Sequence, residues 1–187
     1  MAQALSRTRI TAPDPGDVWF FAYGSLLWDP GFDVAERRRA RLFGWHRRFC
    51  IHSVIYRGTP ENPGLSLGLD RGGSCNGFVL KIRKAEREAV LAQLSAREMP
   101  EEIYSSRPVT VETENGPLAA VTLTVNRDHR LYCPPLDIET SARRIATSSG
   151  RRGANIDYLE NTVAHLAEEG IRDRTLTVLL DRVRQLG

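Results

Sequence analysis

The sequence predicts an α+β protein, in which a run of strands carrying one inserted helix is followed by a run of helices. Three observations lead there. Asn115-Gly116 separates two β-branched stretches, 109–113 and 118–125, the pattern of a tight hairpin. Leu176, Leu179, Leu180 and Val183 fall at i, i+3, i+4, i+7, one buried stripe of a helix. Strand-length and helix-length segments do not alternate regularly, which favours a mainly antiparallel or mixed sheet.

Taken in order, residues 1–16 are polar and end in Ala12-Pro13-Asp14-Pro15-Gly16, so they read as a mobile leader before a single domain over 17–187. Val18 to Tyr23 is an unbroken apolar and aromatic run of strand length. At Gly24-Ser25 side-chain bulk gives way to backbone, and a glycine there lets a ligand approach the flanking peptide N–H groups. Such groups hold a carboxylate or an oxyanion, although a Gly-Ser junction also serves as a plain turn.

Ala35 to Ile51 alternates between basic and apolar positions, as two strands meeting near Gly44 would. Arg37, Arg38, Arg39, Arg41, Arg47 and Arg48 lie here beside Phe43, Trp45 and Phe49, and read as a solvated sheet face or a positive rim for an anionic small molecule. An RNA-binding reading has no second feature to support it. Residues 57–64 are rich in Pro and Gly and long enough to wall a pocket. Arg57 there either pairs a substrate carboxylate through its planar fork or is an ordinary loop arginine.

Leu65–Asp70 and Ser74–Ile82 flank Arg71-Gly72-Gly73 and read as a hairpin. A helix is expected over 84–97, with Val90, Leu91 and Leu94 on its buried face, failing by Pro100. Glu98 therefore falls at a helix end. Three further helices are expected at about 138–148, 156–169 and 173–186, with Asn155 as N-cap and Gly170 as C′ residue of the middle one.

Composition narrows the function classes. Lys and Arg number 26 against 23 Asp and Glu, a net +3 that is no nucleic-acid signature by itself. Cys50, Cys75 and Cys133 are odd in number and lack Cys-x-x-Cys spacing, which points to reduced thiols and a cytoplasmic protein. No apolar run approaches the roughly 20 residues of a membrane-spanning helix. His46, His52, His129 and His165 show no metal-ligand spacing.

Phe21-Ala22-Tyr23-Gly24-Ser25-Leu26-Leu27-Trp28-Asp29-Pro30-Gly31-Phe32, Gly44-Trp45-His46-Arg47-Arg48-Phe49, Tyr56-Arg57-Gly58-Thr59-Pro60-Glu61, Cys75-Asn76-Gly77-Phe78-Val79, Arg97-Glu98-Met99 and Asp157-Tyr158-Leu159 together resemble the ChaC family in order and spacing. Those proteins are γ-glutamylcyclotransferases acting on glutathione. The resemblance implies a small, strongly curved, barrel-like sheet flanked by helices, with a pocket at its mouth. It implies release of 5-oxoproline and Cys-Gly by attack of the substrate's α-amine on its own γ-carbonyl, with no cofactor. The family's Arg-Glu motif falls on Arg97-Glu98 and makes Glu98 the general acid/base. Ala22, Tyr23, Gly24, Ser25, Leu26 and Leu27 are then expected to bind the γ-glutamyl end, helped by Arg57 and by the hydroxyl of Tyr158. Tyr158 has an equally simple role as a half-buried helix tyrosine.

An unperturbed glutamate, with pKa about 4.3, is a weak base, so partial burial is expected to raise Glu98 toward neutrality. The competing readings are a cyclotransferase for other γ-glutamyl-amino acids or amines, and a non-enzymatic sensor of γ-glutamyl ligands.

Overall fold

A computed structural model describes residues 9–12, 15–99 and 102–186. Five strands, β1 (Val18–Ala22), β2 (Glu36–Ser53), β3 (Gly64–Ile82), β4 (Tyr104–Thr113) and β5 (Gly116–Val125), close into a barrel in the order β1-β3-β2-β4-β5. β1 runs antiparallel to β3 and parallel to β5, with Phe20 opposite Val121 at the closing seam. The sheet is thus mixed and curved, and closure pairs the strand edges that an open sheet leaves exposed.

Two expected hairpins are instead long continuous strands. Gly44, with φ 80°, lies inside β2, and Gly72 and Gly73, with φ 106° and 63°, lie inside β3. Positive φ bends a strand without reversing it when the chain on both sides keeps its ladder, as at a bulge. His46 packs against the Gly72-Gly73 bend, its Nδ1 2.9 Å from the Gly72 carbonyl. The Asn115-Gly116 hairpin forms as expected, with Thr113 opposite Gly116.

Among the described residues there are four α-helices, α1 (Arg87–Glu98), α2 (Ile138–Thr147), α3 (Asn155–Glu168) and α4 (Arg174–Arg184), and a two-stranded ribbon of β6 (Ser149–Gly150) and β7 (Gly153–Ala154). Each helix lies where periodicity put it. Asp137 and Asp173 cap α2 and α4 by accepting from the N–H groups of Thr140 and Leu176. Gly170, at φ 67°, ends α3 with Ile171 N–H donating to the Leu166 carbonyl. Asn155 is not the N-cap, which is Ala154. The Asn155 side chain is buried, accepting from Leu65 N–H at 2.6 Å and donating to Leu65 C=O at 2.8 Å, so it completes β3 as a neighbouring strand would.

The chain divides into two compact units, one of Met1–Arg47 with Leu69–His129 and the other of Arg48–Gly68 with Arg130–Gly187. In the first, Phe21, Ala40, Leu42, Leu69, Cys75, Val79, Val111 and Ala120 form a buried cluster. Of the expected leader, residues 1–8, 13 and 14 lie outside the described residues. Ile10 is buried, and its N–H donates to Ser95 Oγ on α1 at 2.9 Å, so this short stretch packs rather than trailing free. In the second unit α4 packs against α2 and α3.

Candidate active site

Phe20, Phe21 and Ala22 are buried, and β1 ends at Ala22, which is therefore strand and not loop. Its carbonyl lies so close to Gly77 of β3 that a Cβ there would be 2.3 Å from it. Beyond Tyr23 the chain makes a 3-10 turn over Ser25–Leu27, with Gly24 at its N-cap. Leu27 N–H donates to Gly24 C=O at 2.8 Å and Asp29 N–H to Ser25 C=O at 2.8 Å. The amides of Ser25 and Leu26 precede the turn's first bond, and no side chain caps them. Leu26 and Leu27 are buried, so the turn is anchored by its own side chains.

The acid comes from the same end of the barrel. Because β1 and β5 are parallel neighbours, their C-terminal ends lie together. Val125, at the end of β5, pairs with Tyr104, and Asn126 N–H donates to the Ile103 carbonyl, which carries the chain just after α1 to that end. Glu98 is the last residue of α1, with a side chain 20% exposed between the buried Met99 and Leu94 in sequence.

Arg97 joins the acid to the loop. Its Nε lies 2.9 Å from Glu98 Oε1, its Nη1 donates to the Asp29 carbonyl at 2.9 Å, and its Nη2 lies 3.3 Å from Asp29 Oδ2. One turn earlier, Gln93 Nε2 donates to the Gly31 carbonyl at 2.6 Å. Gly31 takes φ 76° with Arg97 packed against it, so the Asp29–Gly31 turn is glycine-dependent where the helix docks.

Burial is the largest influence on Glu98 and raises its carboxyl pKa above the ordinary 4.5, against the pull of Arg97 and with the help of the nearby Asp29 carboxylate. A partly buried carboxyl of raised pKa holds a proton more readily than an exposed glutamate, as a group that takes up and returns a proton must.

Arg57 and Tyr158 belong to the second unit. Arg57 Nη1 donates to the carbonyls of Arg152 and Ala154, at 2.5 and 3.1 Å, and its guanidinium lies 5.4 Å over the Tyr158 ring. Tyr158 in turn packs at 5.5 Å against Phe49. Arg57 thus holds the turn that opens α3, and Gly58 and Gly64 beside it are packed too tightly for a Cβ, with backbone atoms at 2.1 and 2.2 Å. The sequence reading of 57–64 as an irregular loop holds, but the loop is closely packed.

The arginine stretch resolves into two kinds. Arg37 and Arg39 lie over Phe78 and Arg41 over Phe43, at 3.9 to 5.2 Å, as an outward face of cation–π stacks, while Arg38, on the side of Ala40 and Leu42, stacks at 4.7 Å on Trp19. Arg47 is different: it is only 4% exposed and donates to the Tyr23 and Asn76 carbonyls. Sequence reasoning placed it with its neighbours on a solvated face. The signal was the alternation itself, because after the bend at Gly44 the inward positions fall on odd numbers and reach Arg47.

The model of the ChaC-like protein family matches residues 18–186. The glutathione-specific γ-glutamylcyclotransferase of Escherichia coli is 33% identical over 186 residues, covering 99% of this chain and 80% of its own. The γ-glutamylcyclotransferase 2-3 of Arabidopsis thaliana is 30% identical over 179 residues, covering 90% and 89%. A crystal structure of a yeast γ-glutamylcyclotransferase specific to glutathione shares the fold, with a TM-score of 0.80 at 24% identity over 91% of this chain and 96% of that one. With a match across almost its whole length, the chain belongs to the ChaC-like family.

Proposed function

We propose that the protein is a γ-glutamylcyclotransferase that converts glutathione to 5-oxoproline and Cys-Gly, with Glu98 as general acid/base. The observation that carries the reading is Glu98 itself, a half-buried carboxyl of raised pKa tied through Arg97 to the turn that follows the Gly24–Leu27 loop.

The α-ammonium of the γ-glutamyl group first loses a proton to the Glu98 carboxylate. The amine attacks the γ-carbonyl carbon of the same molecule, and the carbonyl oxygen takes the negative charge. Backbone amides of Gly24, Ser25 and Leu26 are the donors nearest in chemistry to that oxygen or to the α-carboxylate. Collapse of the intermediate breaks the amide bond: the departing cysteinyl nitrogen takes the proton held by Glu98, the ring nitrogen gives its second proton to the regenerated Glu98 carboxylate to leave neutral 5-oxoproline, and that proton passes to the released amine, which leaves as an ammonium. Nucleophile and electrophile lie on one substrate, so the chemistry requires no covalent enzyme intermediate and no redox partner. Folding the γ-glutamyl chain back on itself is worth up to about 10⁵ to 10⁸ M in effective molarity, against about 10² to 10⁴ in rate from the base. Orientation by the loop therefore matters at least as much as the acid.

Arg57 and the Tyr158 hydroxyl, within the second unit, remain candidate substrate-binding groups. The Nε and Nη2 of Arg57 are not used in its two carbonyl bonds, which leaves a fork edge for a carboxylate. The reading places the enzyme in the cytoplasm, where glutathione is kept reduced, and gives it a small-molecule substrate with no nucleic-acid or membrane partner. No helix among the described residues is long and apolar enough to cross a membrane.

The test is 5-oxoproline release from glutathione and from γ-glutamyl-alanine by wild type and Glu98→Gln. Release from glutathione, lost in a folded Glu98→Gln, is expected. Cyclisation of the dipeptide alone transfers the assignment to other γ-glutamyl compounds. Binding without turnover by either protein makes it a ligand sensor.

A further inference from the structure

We propose that Arg47 is the positioning residue of the binding loop: its buried guanidinium sets the direction, and strengthens the donor character, of the Gly24 amide. This rests on the γ-glutamylcyclotransferase reading for its consequence and on β1, β2 and β3 for its geometry.

A guanidinium buried to this degree is expensive unless its N–H groups find acceptors. Arg47, on β2, donates Nε to the Tyr23 carbonyl at 2.5 Å and Nη2 to the Asn76 carbonyl at 2.6 Å. These two carbonyls are not arbitrary. The β1–β3 pairing ends at Ala22 opposite Phe78, and continuing the antiparallel register puts Tyr23 opposite Gly77 and Gly24 opposite Asn76. The guanidinium therefore ties off the ladder where β1 leaves it, one carbonyl from each strand. Gly77 cooperates from the other side, since any Cβ there would meet the Ala22 carbonyl at 2.3 Å and the Phe21 ring at 2.9 Å.

The consequence follows from the peptide group. Its six atoms are coplanar and trans, so the C=O of Tyr23 and the N–H of Gly24 point in opposite directions. With the carbonyl drawn to Arg47, the Gly24 N–H is aimed away from the guanidinium. A positive charge on the oxygen also polarises the peptide, and bonds linked through one peptide strengthen each other. The result is a pre-aimed donor at the N-cap of the 3-10 turn, serving the oxygen that gains charge in ring closure. Two carbonyls held by one planar fork is a task for arginine; a lysine ammonium makes point contacts without that rigidity.

The experiment compares wild type, Arg47→Lys and Arg47→Met by kcat and KM for glutathione, by the pH dependence of kcat/KM, and by the Gly24 amide resonance with and without 5-oxoproline. Arg47→Met is expected to lose about 10² to 10³ in kcat, the usual effect of one misplaced oxyanion donor, with KM little changed. Arg47→Lys is expected to recover part of it. The acidic limb of the profile is expected to stay in place in both, because Glu98 is governed by burial, Arg97 and Asp29. The shift that 5-oxoproline produces at the Gly24 amide is expected to shrink in step with kcat. Wild-type kcat in a folded variant, or a Gly24 resonance indifferent to residue 47, overturns the proposal. If Arg47→Met fails to fold, Arg47→Lys carries both readouts. A wild type that cyclises no γ-glutamyl compound sinks the functional reading alone, because the Gly24 resonance still decides the role of Arg47.

Discussion

Glu98 is pulled in opposite directions, by burial toward the neutral acid and by the Arg97 guanidinium toward the carboxylate, and burial prevails. Two predictions follow at this scale. Below the ordinary 4.5 the carboxyl is protonated folded and unfolded alike, so it carries no ionisation penalty there. As pH rises through the raised folded value, the native state must hold a charge in a poorly hydrated place and loses stability. Glu98→Gln removes that penalty, so its Tm is expected to exceed wild type at pH 7 and to converge with it below about pH 4. Thermal melts at both pH values check this, and a lower Tm for the variant at pH 7 contradicts it. Arg97→Gln removes the pull toward the carboxylate and unscreens Asp29, so the acidic limb of kcat/KM is expected to move to higher pH. A limb that stays or falls speaks against Glu98 as the titrating base. Neither Arg97–Glu98 nor Arg97–Asp29 was visible in the sequence as a pair. What the sequence did contain was the motif on which family resemblance rests, and that singled out Glu98 among many glutamates without showing what surrounds it.

Among the elements, the helices were the most legible because a stripe of buried residues needs only local spacing. α1 through α4 begin and end within a few residues of their sequence expectation. The long strands were not legible, because Gly-Gly spells a reversal or a bulge equally well, and only the strands' places beside one another in the barrel select the bulge. Asn155 was misjudged for a related reason. A helix-start asparagine usually caps its own helix, but this one spends both side-chain groups on Leu65, remote in sequence. Asn155→Ala leaves a buried N–H and a buried C=O unpaired, each worth about 1 to 3 kcal/mol. A loss of at least about 2 kcal/mol by denaturant titration is expected, and a loss below about 0.5 kcal/mol contradicts the strand-completing role. Gly64→Ala is expected to be as damaging, since its new Cβ would meet the Arg57 carbonyl at 2.2 Å.

For the molecule as a whole, the question is whether its two compact units behave as one domain. The chain passes between them inside β2, at Arg47–Arg48, and inside β3, at Gly68–Leu69. We propose that they unfold together, since melting either unit frays a strand that the other also uses. The three tryptophans, Trp19, Trp28 and Trp45, all lie in the first unit, whereas α2, α3 and α4 all lie in the second. Tryptophan fluorescence therefore reports on the first unit and far-UV circular dichroism, with three of the four helices, mostly on the second, and their urea transitions are expected to coincide. Separate midpoints establish two domains.

By itself the sequence determined the class of fold, the positions of the helices, the NG hairpin, the break after the first strand at Gly24-Ser25 and the position of Glu98 at a helix end, because each is written in local spacing or in a contiguous motif. Tertiary structure decided that the sheet closes into a barrel, that two glycine bends leave β2 and β3 unbroken, and that Arg47 turns inward to the Tyr23 carbonyl while Arg37, Arg39 and Arg41 stack outward on aromatic rings. Those outcomes depend on which distant residues meet across the ladder. Burial, which raises the Glu98 pKa and gives Arg47 its partners, is a property of that meeting and not of either segment alone.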